Sequence, residues 1–78
     1  MSLSERLERL NALHDDYQNR ARTETDVKNA VAEITKGMSP KEQMSLAKEF
    51  TIGKKPVSAT AARKRIVDKI YERQDKDS

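Results

Sequence analysis

Hydrophobic positions along the chain recur at helical spacing. Through the first twenty residues they fall at alternating steps of four and three, at Leu3, Leu7, Leu10, His14, Tyr17 and Ala21. This spacing is typical of a helix that packs along its length against another helix. Shorter stripes follow over residues 27–34, 44–50 and 62–71, and no alternating strand pattern occurs. The pattern therefore predicts an all-α chain of four helices.

Local capping sequences indicate where these helices begin. A hydroxyl residue followed three positions later by a carboxylate can bond reciprocally with the first helical turn. Such pairs occur at Ser2–Glu5, Thr23–Asp26 and Ser39–Glu42, while Ser58 or Thr60 precedes the last stripe and Gly37 is suited to end the second helix. We predict helices over about residues 3–22, 25–36, 40–50 and 59–73, the first two antiparallel.

The segment Gly53-Lys-Lys-Pro-Val57 interrupts the helical pattern. Gly53 permits a sharp exit from the preceding helix, and Pro56 disfavours helical backbone at Lys55. The segment is therefore predicted to be an exposed, extended loop that carries two lysines.

These elements predict a single small four-helix domain over residues 1–78. Residues 1–37 form a helical hairpin, residues 38–73 a helix–extended loop–helix unit, and residues 74–78 a frayed tail with nothing to bury. One core is expected to contain residues from all four helices: Leu10, Ile34, Phe50, Ile66 and Ile70.

Composition limits how this domain can be stabilised and what it can do. A chain of 78 residues without cysteine has a small core, no disulfide and no cysteine-based metal site. No apolar run approaches the ~20 residues of a membrane helix, and charges interrupt the N-terminal leucines where a signal peptide would be apolar. We therefore expect a cytoplasmic protein with no membrane partner.

Candidate catalytic residues are scarce. His14 is the only histidine and lies on the apolar stripe of the first helix, where a packing role is favoured. Asp15 and Asp16 adjoin it, but consecutive helical residues point in different directions and do not form a carboxylate pair. Since the sequence has no phosphate-binding glycine loop, nucleophile motif or metal-ligand cluster, we expect a binding protein that is not an enzyme and has no cofactor or metal.

Charge is distributed unevenly along the chain. Residues 1–36 carry six basic and seven acidic side chains, whereas residues 48–70 carry seven basic and two acidic ones. A local excess of this kind points to an anionic partner.

Within that basic region, cations cluster around a predicted helix start. Lys54 and Lys55 precede the helix, Arg63 and Lys64 lie in its first two turns, and Lys69 follows. Helix N-termini bind phosphate through free amide groups, so these five residues are the predicted nucleic-acid-binding site. No aromatic residue lies among the lysines, which favours duplex over single-stranded nucleic acid. The alternative is that Arg63, Lys64 and Arg65 form only the solvated face of the helix.

The same region carries a family-like motif. Arg63-Lys-Arg-Ile66-Val67-Asp-Lys69-Ile70 fits the order basic-x-x-aliphatic-aliphatic-x-basic-aliphatic, and the preceding helix presents Met44, Leu46, Ala47 and Phe50. On these residues, the segment at about 39–73 resembles the SAP family and the related Rho N-terminal domain. Most of these modules bind DNA or RNA through the loop and the start of the second helix. The family usually places glycine before an aliphatic residue after its first helix, whereas here Ile52 precedes Gly53.

A second function class remains open, because the stripe of the first helix could serve a partner. Leu3, Leu7, Leu10 and Tyr17 could form a homodimer surface or dock on another protein. The chain would then be a protein-interaction module, such as a small phage or plasmid-type factor or a domain of a larger protein. Packing of this stripe within the chain is favoured, since Val27, Val31 and Ile34 also need a partner.

Overall fold

The structure, a computed structural model, describes residues 2–72 and contains four α-helices in that range. They are α1 (Leu3–Gln18), α2 (Glu24–Thr35), α3 (Pro40–Thr51) and α4 (Ala59–Tyr71). The predicted all-α architecture is confirmed: a hairpin of α1 and α2 is followed by a helix–extended loop–helix unit. Residue 73 of the predicted last helix and the predicted frayed tail at 74–78 lie outside the described residues.

Side-chain caps begin each helix at a residue that the sequence predicts, and the reciprocal box forms at two of the three predicted pairs. Thr23 and Asp26 form a reciprocal capping box at α2, and Ser39 and Glu42 form another at α3. The hydroxyls of Ser2 and Ser58 accept bonds from amides three residues later at α1 and α4. Of the two candidates for the last cap, Ser58 is therefore the one used.

The end of α1 differs from the prediction, since the helix stops at Gln18 and not near residue 22. Arg20 takes a left-handed conformation with φ of 63°. The Ala21 amide donates to the Asp16 carbonyl at 2.8 Å, and the Arg20 amide donates to the Tyr17 carbonyl at 3.0 Å. These two bonds form a Schellman motif, a helix end that usually has glycine at the left-handed position. Ala21 therefore lies outside the helix and is exposed.

Three of the four helices point the same way, since Gln18 at the end of α1 donates to the Ile70 carbonyl near the end of α4. Arg6 near the start of α1 donates to the Ile34 carbonyl at the end of α2, so this pair is antiparallel as predicted. Gln43 and Phe50, at opposite ends of α3, contact Arg63 and Lys69 respectively, which makes α3 and α4 parallel. The chain between them must therefore return along the length of the pair.

The connection from Ile52 to Ser58 makes that return. The 12 residues of α3 rise about 18 Å, and seven extended residues reach about 23 Å, so an extended backbone is needed. Residues 53–57 are non-helical, which confirms the predicted loop. Ile52, and not Gly53, takes the left-handed conformation at the end of α3, with φ of 51°.

A single hydrophobic cluster joins the four helices. Leu10, Phe50, Ile66 and Ile70 are at most 2% exposed, and Ile34 is 7% exposed, so the predicted core is confirmed. The cluster also includes Leu13, Tyr17, Val27, Val31, Met38, Leu46, Ala47 and Ala62. Two polar residues are buried beside it, Thr35 and Gln43, and both are hydrogen-bonded.

Gly37 takes a left-handed conformation between α2 and α3, with φ of 80°. The Met38 amide donates to the Thr35 carbonyl at 3.1 Å, and Lys36 between them has φ of −59° and ψ of 131°. These angles define a type II turn, which requires a residue with positive φ at its third position. Gly37 therefore serves a turn that follows α2 and lies outside the helix cap itself.

Candidate nucleic-acid interface

The extended loop presents Lys54 and Lys55 to solvent. Both side chains are exposed, while Pro56 between them and α4 is buried and anchors the loop. The Arg65 guanidinium donates a hydrogen bond to the Lys54 carbonyl, which ties the loop to the side of α4. The two lysines are thus carried on a backbone that is held at both ends.

The start of α4 lies directly after this loop. Ser58 accepts a hydrogen bond from the Ala61 amide at 3.1 Å, and the first turn carries no acidic side chain. The remaining amides of the first turn have no intrahelical acceptor, which is the property that lets helix N-termini bind anions. The loop lysines and the helix start therefore form one continuous electropositive segment.

The Arg63 guanidinium is hydrogen-bonded within the fold, so it is less available to an anion at that segment. Its guanidinium donates to the Gln43 side-chain oxygen at 2.6 Å, and the Gln43 amide donates to the Met38 carbonyl at 3.0 Å. Gln43 is 7% exposed. Arg63 thus connects the start of α3 to the start of α4 and completes the hydrogen bonding of a buried amide.

Lys69 is also engaged within the fold. Its ammonium group donates to the Phe50 carbonyl at the end of α3 and lies 4.6 Å from the centre of the Phe50 ring. A cation at a helix C-terminus is favourable because unpaired carbonyls concentrate negative charge there. Lys69 therefore stabilises the end of α3. It lies on the opposite side of the buried stripe of α4 from Arg63.

Lys64 is exposed but faces a different neighbour. Together with Lys28, Arg63 and Tyr71 it lines an open groove between α2 and α4. The structure therefore brings Lys54 and Lys55 together on the loop and separates them from the α2-facing Lys64. Residues six positions apart on a helix lie about 120° apart around its axis, which explains why Arg63 and Lys69 point to opposite sides of the buried stripe.

Two basic residues outside the predicted site contribute to this surface. Arg65 positions the loop, and Lys48 lies beside Ile52, Gly53 and Lys54 at the end of α3. The four-residue spacing of Arg65 and Lys69 places them on the same flank of α4. Nothing local in the sequence indicated that the loop would return along that flank.

The remaining polar clusters are mixed in charge. His14 packs edge-on against Phe50, with ring centres 6.3 Å apart, and borders a cleft with Arg65, Asp68, Lys69 and Glu72. Burial raises the pKa of the Tyr71 hydroxyl, which donates to the Glu24 carbonyl at 2.8 Å and joins α4 to α2. Over residues 2–72 no group of three or more His, Cys, Asp or Glu side chains is arranged to hold a metal ion.

Most of the apolar stripe of α1 is buried in the core. Leu10 is fully buried and Tyr17 is 5% exposed, so neither offers side-chain surface to a partner in this fold. Leu7 is half-buried and Leu3 is 42% exposed. The alternative interface predicted through these four residues is therefore reduced to Leu3 and part of Leu7, because α1 packs within the chain.

No family model, curated protein or solved structure matches this chain. Among residues 2–72, none of the four helices has the length and hydropathy of a membrane-spanning segment.

Proposed function

We propose that this protein binds duplex nucleic acid through the basic loop and the start of α4. Lys54 and Lys55 contact phosphates, and the free amides after Ser58 contribute to the same contact. The observation that carries this proposal is the pair of exposed lysines on an extended backbone that Arg65 and Pro56 hold against α4. Lysine side chains and helix N-terminal amides are common phosphate contacts, and this loop places two exposed lysines before such a helix start.

The roles of the other predicted residues follow from their contacts. Arg63 and Lys69 act indirectly in this proposal, since the charged group of each donates a hydrogen bond to α3. Lys64 is exposed on the α2 side and extends the positive field around α4. Lys48, at the end of α3, extends it on the loop side.

Duplex is favoured over single strand because none of the aromatic residues lies on the loop or at the start of α4, where it could stack on bases. Phe50 and Tyr17 belong to the core, and Tyr71 packs against it. Base stacking supplies much of the affinity for single strands, whereas phosphate contacts suffice for a duplex.

The proposal extends to the kind of module. Residues 39–73 are proposed to act as a SAP-like unit, supported by the helix–extended loop–helix arrangement over Pro40–Tyr71 and by the basic and aliphatic order of α4. Ile52 takes the left-handed conformation and precedes Gly53, whereas the family usually places glycine before an aliphatic residue after its first helix. The order of elements supports the proposal, while the residue order at the end of α3 departs from the family pattern.

The test is a fluorescence-anisotropy titration of a labelled 20-base-pair duplex and a single strand at several salt concentrations. Each phosphate contact contributes a slope of about −0.9 to log K against log salt. The double variant Lys54→Gln, Lys55→Gln should therefore lose about 1.8 of that slope and bind all sequences more weakly. The matched control is Arg9→Gln, Arg22→Gln, which removes equal charge from the groove between α1 and α2.

Equal losses in the two double variants would show that only net charge matters and would contradict a site on the loop. Salt-independent binding, or binding that survives loss of both loop lysines, would also overturn the proposal. Preference for the single strand would contradict the assignment to duplex.

A further inference from the structure

Two large aliphatic side chains flank the basic loop and are almost fully exposed. Ile52 precedes Lys54 and Lys55 and is 88% exposed, while Val57 follows them and is 93% exposed. The only other large hydrophobic residue exposed among residues 2–72 is Leu3, at 42%. The loop thus presents the order aliphatic, cation, cation, aliphatic on one short segment.

Ile52 is also held in an unfavourable backbone conformation. Its φ of 51° and ψ of 54° lie in the left-handed region, where a β-branched side chain is an outlier. The Gly53 amide donates to the Lys48 carbonyl at 3.4 Å, so this conformation closes the end of α3. Glycine or asparagine would fit there with less strain, and Ile52 gains no burial in return. The fold alone therefore gives no reason for an isoleucine at this position.

We propose that Ile52, assisted by Val57, makes the apolar contact of this loop with the groove of a nucleic-acid duplex, between the phosphates that Lys54 and Lys55 bind. This inference rests on the proposed function and deepens it. Charge complementarity selects the partner: two cations flanked by aliphatic groups match a groove whose apolar sugar and base surfaces lie between rows of phosphates. Exposed aliphatic side chains are known to insert into duplex grooves beside such cations.

An apolar contact and a phosphate contact differ in their response to salt. Neutralised phosphates release counterions, which sets the slope of log K against log salt, whereas burial of an aliphatic side chain releases none. Loss of Ile52 should therefore lower affinity by the same factor at every salt concentration. Loss of a loop lysine should change the slope itself.

The experiment measures anisotropy of a labelled 20-base-pair duplex over a salt series with wild type, Ile52→Gly, Ile52→Asn and Val57→Ser. Both Ile52 variants should bind about tenfold more weakly with an unchanged slope, and Val57→Ser should lose less. Asparagine keeps a restricted backbone, so its loss of affinity separates the side-chain contact from added loop flexibility. Ile52→Gly should at the same time raise the midpoint of denaturant unfolding, because it relieves the backbone.

Arg20→Gly is the matched control, because Arg20 is the other non-glycine residue with positive φ between residues 2 and 72. It should raise stability without changing affinity. Wild-type affinity in either Ile52 variant, or a reduced slope, would overturn the inference while leaving the lysine site intact. Loss of binding to anionic phosphatidylserine vesicles without loss of duplex binding would assign Ile52 to a lipid surface and also overturn it. Failure of wild type to bind any duplex would remove the proposed function first.

Discussion

The C-terminal ends of α1 and α3 share a backbone conformation but carry different side chains at the left-handed residue. Each closes with a non-glycine residue in the left-handed conformation, Arg20 after α1 and Ile52 after α3. Arg20 is long and polar, so its exposure to solvent is unremarkable. Ile52 is β-branched and 88% exposed, so it adds strain and an exposed apolar surface together. Folding alone accounts for the residue at the first helix end, whereas at the second we propose that contact with a partner does.

The surrounding charge follows the same division. The hairpin region at residues 1–36 is nearly balanced, while residues 48–70 carry seven basic and two acidic side chains. In the hairpin, Arg22 pairs with Asp16 at 3.5 Å, and Arg6 donates to carbonyls at the end of α2. On the loop, the Lys54 and Lys55 side chains remain exposed. Arg6 and Arg22 are thus engaged within the fold, whereas the two loop lysines face solvent.

The largest expected effect tests whether the two halves share one core. Phe50→Ala or Ile66→Ala should cost about 2–5 kcal/mol, because each removes a side chain that is at most 2% exposed. Urea unfolding followed by circular dichroism and tyrosine fluorescence should give one coincident transition. Leu3→Ala, at an exposed position, is the control and should change stability by less than about 0.5 kcal/mol. A hairpin that unfolds separately, or variants that melt with wild type, would contradict a shared core.

The two capping boxes allow a closer comparison, since one begins α2 and the other begins α3. Thr23→Ala and Ser39→Ala should each cost about 1 kcal/mol, as the hydroxyl bonds to Asp26 and Glu42 amides are lost. Ser4→Ala inside α1 removes a hydroxyl without a capping role and should cost much less. A large loss for one cap alone would show that one half of the domain frays independently.

Glycine substitutions at the two left-handed residues should change stability in the opposite direction from a glycine substitution inside a helix. Ile52→Gly should stabilise the protein by about 0.5–1 kcal/mol and Arg20→Gly by less, because relief of strain outweighs the entropy of glycine. Glu49→Gly, inside α3, should instead destabilise by about 1 kcal/mol. These signs can be measured by denaturant unfolding, and a destabilised Ile52→Gly would remove the strain argument.

The smallest expected effect concerns acid. The backbone amide of Ser39, and then its hydroxyl, hold the pKa of Glu42 below its usual value near 4.5 by hydrogen bonding to the carboxylate. The resulting stability is present at pH values above the usual pKa of 4.5, which applies to the unfolded chain. It is lost as the pH falls through the lowered pKa of the folded protein. Glu42→Gln should therefore differ from wild type at pH 7 and approach it at pH 3 in unfolding measurements. An equal difference at both pH values would mean that the charge has no role.

The proposed site at Lys54, Lys55 and the start of α4 could be predicted from the sequence only in part. Its local components could be predicted, because Pro56, Ser58 and the basic run each act on their nearest neighbours. The distribution of the cations could not be predicted from a list of basic residues. Arg63 turned to Gln43 and Lys69 to Phe50 because α3 lies parallel to α4, and that direction depends on contacts twenty residues apart.

Periodicity and capping residues by themselves determined the four helices, their starts, the extended loop and the buried stripe, since these depend on spacings of a few residues. Tertiary structure alone decided the early end of α1 at Gln18 and the left-handed turn at Ile52. Both ends use a residue that local preference disfavours, and packing of the adjoining helices must supply the free energy that holds it there. Such conformations become predictable only once the surrounding helices are in place.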